Sequence, residues 1–275
     1  MSVTQSQHPK TAQKKKQAAP VKKPYLTGAP FDGNSLKSAL ILLGMLALTA
    51  FVYLIAATAL MIDIAPLRIA LNVVLLVLTW QLFSASGRAN GAVAVNQGEI
   101  MYRRQERGET VTAKDRSLCF HPAKGFLIGL IGSLPLFLVA LGLALTATRQ
   151  MTTAGALPSW LGTLAEDPDF ATAVSAYTTQ QHMTVTDVLR IITRVELLPW
   201  VNLIGSENAD LLLLFERFSP LLVLLPGLSY GWGYTRGVQE RTRVHTDIAA
   251  ANKRREKRSA RAKKARAAST PKQLN

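Results

Sequence analysis

Cys119 and His121 form a C-x-H pair, the nearest thing in the chain to a metal or nucleophile motif. Zinc takes three or four protein ligands, and the other histidines, His8, His182 and His245, lie far from the pair in sequence. The chain has no HExxH, GxSxG or Walker loop and no GxGxxG after a strand, the spacings that metal hydrolysis, acyl transfer and phosphate binding require. The GWG around Trp232 sits in an apolar aromatic stretch and is no phosphate loop. The residues therefore point to no catalytic group, no cofactor and no metal site, and the chain reads as a non-enzyme.

Charges beside long apolar runs are the other candidates. Glu216 and Arg217 interrupt DLLLLFERFSPLLVLLPG. An ionisable group in hydrocarbon is costly, so one that is kept there is a functional candidate. If a helix starts at Leu211, Glu216 lies roughly 7–8 Å below the surface. If the span starts at Pro220, both charges face the headgroups. Proline is best tolerated in a first helical turn, which favours the second geometry. Asp63 and Arg68 bracket a short turn, either as a pair or, more simply, as two interfacial charges. Asn72 and Gln81 are polar residues suited to bonding neighbouring helices.

These residues need elements to hold them, and the elements are long and apolar. The chain has 275 residues, a net charge of +15 and yet a mean hydropathy of +0.16. Both hold only if charge and hydrocarbon are segregated along the chain. Ser38–Ile62 is 25 residues without a charge. Ile69–Ser86, Gly125–Thr148 and a run beginning near Phe218 and ending at Arg236 are the other apolar blocks. About 20 apolar residues cross a bilayer core, whereas a soluble core helix uses 10–14. The first block is too long for a secretory signal and reads as a retained anchor. One cysteine forms no internal disulfide.

Orientation follows from flanking basic residues. The segment before the first span has seven lysines against Asp32, and the loop between spans two and three has seven Lys/Arg against four acids. From Arg236 onward there are thirteen Lys/Arg against three acids, whereas Arg149–Arg217 has four against eight. Threading four spans puts every basic region on one side. The expectation is a multi-pass protein of the cell (plasma) membrane with both termini cytoplasmic.

Within the membrane, small residues let helices approach closely. Gly125, Gly129 and Ser133 form such a face on span three, for packing within the chain or for self-association. Tyr230, Trp232 and Tyr234 precede Arg236 and suit an interfacial aromatic belt anchoring span four. Pro135 and Pro226 are expected to kink their helices.

The expected architecture is all-α and polytopic. A basic tail (1–37) precedes three spans (38–148), whose cytoplasmic loop (87–124) includes a β-hairpin through EIMYRR and ETVTAKD turning at Gly108. An extracytoplasmic helical segment (149–217) follows, then the fourth span (218–236) and a basic tail (237–275). The outer segment offers a helix AEDPDFATAVSAY and an amphipathic helix DVLRIITRVELL with Val188, Ile191, Ile192 and Val195 on one face, capped by Thr184 or Thr186. The last tail carries Lys253, Arg254, Arg255, Lys257, Arg258, Arg261, Lys263, Lys264 and Arg266 on nearly every helical face. Such a tail either only fixes topology and is solvated in the cytosol, or takes anionic lipid headgroups as its partner, each basic residue near the surface contributing about 1 kcal/mol. Nucleic acid is a weaker match, since no aromatics are interleaved for stacking. The functional expectation is an accessory or scaffold subunit acting through tails and loops, with a membrane-protein partner or a second copy. The alternative is a transporter or channel component.

Overall fold

The computed structural model describes residues 21–59, 64–148, 184–205 and 209–269. Among these the chain forms α1 (Gly33–Ala59), α2 (Ala65–Glu106), α3 (Ala113–Ser117) and α4 (Pro122–Thr146). After these come α5 (Val185–Glu196), α6 (Leu198–Ile204), α7 (Ala209–Thr235) and α8 (Gly237–Ser269). No strand occurs among the described residues. Four helical stretches, within Gly33–Ala56, Pro66–Glu106, Pro122–Thr146 and Asp210–Lys263, are long and apolar enough to cross a membrane. The helix AEDPDFATAVSAY lies outside the described residues.

The chain divides into two compact units. Residues 25–238 make a helix bundle. The other unit combines the N-terminal segment with α8 from Gln239 onward, where the Val21 N–H donates to the Thr246 hydroxyl at 3.1 Å.

In the bundle α4 packs on α7, α7 on α2, and α1 on α4. The most extensive seam is α4–α7, and glycine makes it possible. A Cβ on Gly129 would lie 2.2 Å from the Gly227 carbonyl oxygen, and one on Gly227 would lie 2.6 Å from the Ser133 hydroxyl. The α2–α7 seam uses the same device, with Gly87 and Gly91 against the backbone of Tyr230 and Tyr234 and Gly233 against Ser84. Apolar side chains gain nothing by leaving lipid for each other, so such close backbone contact is what holds helices together in a bilayer.

Small and polar residues share the interior with buried leucines such as Leu42, Leu46 and Leu143, and large apolar side chains also cover much of the exterior. On α4 the buried residues include Gly125, Gly129, Gly132, Ser133 and Ala140, while Leu130, Leu134, Leu138 and Leu145 are exposed. On α1 Ser35, Ala39 and Thr49 are buried, while Leu40, Ile41, Leu48, Phe51 and Ile55 are exposed. A contiguous apolar exterior of this extent marks a surface that meets lipid rather than water. The chain is a multi-pass membrane protein.

Three sequence expectations need correction. The EIMYRR arm of the hairpin is the last part of α2, which runs on for twenty residues past Ser86. Gly91, Ala94, Val95, Gly98 and Glu99 are buried at helical spacing, and Gly98 meets the Leu26 carbonyl. That period outweighs a four-residue alternation. The ETVTAKD arm instead starts α3 through a capping box of Thr112 and Asp115. The fourth span does not begin near Phe218 or Pro220, because α7 starts at Ala209 and holds both Pro220 and Pro226 inside it. Pro220 leaves the Glu216 carbonyl without its helical donor, and the Ser219 hydroxyl donates to that oxygen at 2.7 Å. Gly108 is a turn glycine with φ of 80°, but it joins two helical segments.

Candidate functional site

Helix α5 is built by its first turn. Thr184 and Asp187 form a reciprocal capping box, which satisfies two otherwise orphan N–H groups. Asp187 sits below its ordinary pKa because the Thr184 side chain and backbone and then Arg190 favour its charge. The helix places Val188, Ile191 and Ile192 on its exposed side and buries Arg190, Thr193 and Glu196. Its charged face is turned into the bundle and its apolar face away from it.

The buried face meets Glu216, which is 1% exposed. The Arg190 guanidinium donates to both carboxylate oxygens, Nε to Oε1 at 2.7 Å and Nη2 to Oε2 at 3.1 Å. Arg190 also donates to the Thr148 carbonyl at 3.0 Å and to Asp187 at 3.3 Å. Arg194, one turn further on, donates to Glu216 Oε1 through Nη2 at 2.6 Å and Nε at 3.1 Å. Two arginines and two carboxylates cancel, and this forked geometry is the kind that lets buried charges persist. Glu216 is therefore neither headgroup-facing nor an isolated intramembrane charge. It is the post to which α5 is tied.

Beyond this cluster the chain turns at Leu197 and returns as α6. Leu197 packs on Ala140 and Val223. Ala140 lies six residues before the end of α4 at Thr146, roughly 9 Å along the helix. The α5–α6 pair thus enters the bundle and leaves again. On the return, the Asn202 amide lies 3.5 Å from the Asn72 side-chain oxygen. Gly205 ends α6 beside the Arg68 guanidinium, where a cation suits the helix dipole. Arg68 Nε is buried without a hydrogen bond.

A cavity of about 420 Å³ lies between this hairpin and α1, α2 and α7. Its wall is mostly aliphatic and aromatic, with Tyr53, Thr79, Trp80, Trp200 and Glu196 among it. Thr79 gives its proton to the Leu75 carbonyl at 2.9 Å, so the Tyr53 hydroxyl donates to Thr79 at 2.6 Å. Glu196 is 8% exposed, and burial raises its pKa from 4.5 to about 7. It makes no hydrogen bond or ion pair with any described residue. Arg190, Arg194 and Glu196 were missed by sequence reasoning; the two arginines share a face at i and i+4, whereas Glu196 lies about 200° round the helix from Arg194 and one turn beyond Ile192.

The remaining candidates fall elsewhere. Arg217 is exposed. Asp63 lies outside the described residues. Gly125 packs against the Tyr234 ring, Gly129 against Gly227, and Ser133 is fully buried beside Gly227. Of the three aromatics, only Trp232 is exposed; it lies 6.1 Å from Trp80 with the Arg236 guanidinium 3.5 Å from its ring centre. Tyr230 and Tyr234 are buried, which corrects their reading as surface anchors. Residues two apart on a helix point about 200° apart, whereas i and i+4 share a face. Tyr230 accepts from the Asn90 amide at 2.9 Å, and Tyr234 stacks on Phe120 at 5.4 Å.

Cys119 and His121 serve local structure. The buried thiol donates to the Asp115 carbonyl at 3.7 Å, and His121 accepts from the Ala123 N–H at the start of α4. Among the described residues no group of three ligating side chains comes together. At the same end of the bundle Lys124, also buried, pairs with Asp32 at 3.3 Å and donates to the Ser117 carbonyl at 2.6 Å. Burial opposes the Asp32 charge, yet bonds from Ser35 and the Lys124 charge hold its pKa below the ordinary value.

Helix α8 carries Lys253, Arg254, Arg255, Lys257, Arg258, Arg261 and Lys263, all exposed. Lys264 and Arg266 continue the same helix. The chain matches no protein-family model, no curated protein and no solved structure.

Proposed function

We propose that this protein is a non-enzymatic accessory or scaffold subunit of the cell membrane, with both termini cytoplasmic, acting through its basic tails and loops on anionic headgroups. The observation that carries the reading is the part of α8 from Lys253 onward, with exposed Lys and Arg around its circumference and no apolar stripe with which to insert. Such a helix meets a charged surface by charge alone, and every basic residue within a Debye length adds to the attraction. The test is co-flotation of full-length protein nanodiscs, made with neutral lipid, with vesicles of phosphatidylserine or of phosphatidylcholine. Binding to the anionic vesicles that fades with salt and disappears when the nine Lys/Arg of 253–266 become Gln supports the proposal. Equal binding to neutral vesicles defeats it.

The second reading, a transporter or channel component, is favoured by the cavity and its buried carboxyl. Glu196, rather than the clamped Glu216, is then the residue whose substitution should alter flux in proteoliposomes. Absence of any flux ends that reading.

A further inference from the structure

We infer that the cavity between α1, α2, α6 and α7 binds a lipophilic monocation, with its hydrocarbon body against the apolar wall and its charge against the Glu196 carboxylate. The volume, about 420 Å³, falls in the range of small-molecule sites. Among the described residues Glu196 is the only carboxylate in the wall, and no Lys, Arg or His lines it. Glu196 as a residue is more than nine-tenths buried, and its carboxyl has no hydrogen-bond or ionic partner among the described residues. The arginines that could neutralise it, Arg190 and Arg194 on its own helix, are tied to Glu216. A buried carboxylate needs a compensating charge or a donor, and the cavity leaves that place open to a ligand.

The wall selects the rest of the ligand. Trp80, Trp200, Tyr53 and Phe83 supply aromatic faces, which attract cations as well as hydrocarbon. A single carboxylate is too few ligands for a divalent metal, which takes several oxygens. Val73 and Val77 line the cavity and are also about half exposed on the lipid-facing side of α2. Entry is therefore from the bilayer, where lipophilic cations concentrate and hydrophilic amines do not.

The experiment measures equilibrium binding of radiolabelled tetraphenylphosphonium to full-length protein in phosphatidylcholine nanodiscs, with empty nanodiscs subtracted. The expected result is saturable binding that is at least tenfold tighter at pH 8 than at pH 5. Binding should weaken at least tenfold in Glu196→Gln and be blocked in the cavity-filling Leu225→Trp. Among the described residues Tyr53 on α1 is the only other titratable group in the wall, and α2, α6 and α7 present no other there. A phenol, with an ordinary pKa near 10, does not titrate over that interval, and Arg190, Arg194 and Glu216 are engaged with one another outside the cavity wall. The pH arm on the native chain therefore reads Glu196 even if a variant fails to assemble. Binding equal to empty nanodiscs overturns the inference. So does binding that neither pH nor Glu196→Gln changes, which would mark an apolar pocket filled by a neutral lipid chain.

Discussion

Arg190 and Glu216, 26 residues apart in sequence, are joined by two parallel bonds of 2.7 and 3.1 Å inside the helix bundle. The pair fastens α5, which does not itself cross the membrane, to the long helix α7. It also neutralises the Arg190 charge that α5 turns into the bundle.

Breaking that pair by removing one partner leaves an uncompensated buried charge, which costs about 3–5 kcal/mol. Glu216→Ala should therefore lower the thermal midpoint in detergent sharply. Arg190→Leu with Glu216→Leu should be less damaging than the sum of the single changes, because the double variant removes both halves. Strict additivity in this cycle would show that the two residues do not act together.

The Gly129–Gly227 contact admits no side chain. A leucine at Gly129 forces α4 from α7, at or above the ~3 kcal/mol upper end for overpacking a core. Gly44, where an added Cβ would meet nothing within 4 Å, is the control and should tolerate leucine. Equal loss of folded protein at both positions, measured by size-exclusion chromatography, would contradict the seam.

Tyr234 and Trp232 separate core from surface on one helix. Tyr234→Ala empties a buried ring site and should cost about 3–5 kcal/mol. Trp232→Ala acts on an exposed ring and should cost much less. A larger loss for Trp232, seen by thermal unfolding, would restore it as the principal anchor of α7.

Glu196 gives stability a defined pH dependence. Its folded pKa is raised from 4.5 to about 7, so the folded chain holds the proton more tightly than the unfolded chain. Between about pH 4.5 and 7 the unfolded state therefore binds fewer protons, and the Glu196 contribution to stability falls as pH rises. The native chain should lose more stability across that window than Glu196→Gln does. Identical pH profiles for the two would show that the carboxyl is not desolvated.

Much of this architecture was legible in the primary structure. Uncharged runs such as Ser38–Ile62 marked spans because length alone excludes a soluble core helix. The small-residue face of Gly125, Gly129 and Ser133 was visible as a packing surface, but its partner Gly227 was not, since pairing between distant helices leaves no local trace. The helix start before Pro220 was hidden because proline's effect depends on whether another donor reaches the freed carbonyl, and Ser219 supplies one. The continuation of α2 was present in Gly91, Ala94, Val95 and Gly98 but masked by the polar composition around them. The burial of Arg190 against Glu216 left no local trace in the sequence, because the two residues stand 26 positions apart.

The lipid-facing placement of the apolar side of α5 is tested most directly at Ile191, which is half exposed there. With Cys119 replaced by alanine, a nitroxide at Ile191→Cys in nanodiscs can be relaxed by oxygen, which concentrates in hydrocarbon, or by a water-soluble nickel chelate. Strong relaxation by oxygen and little by nickel is the predicted result. A label relaxed chiefly by the nickel chelate would place this face in water and contradict the account.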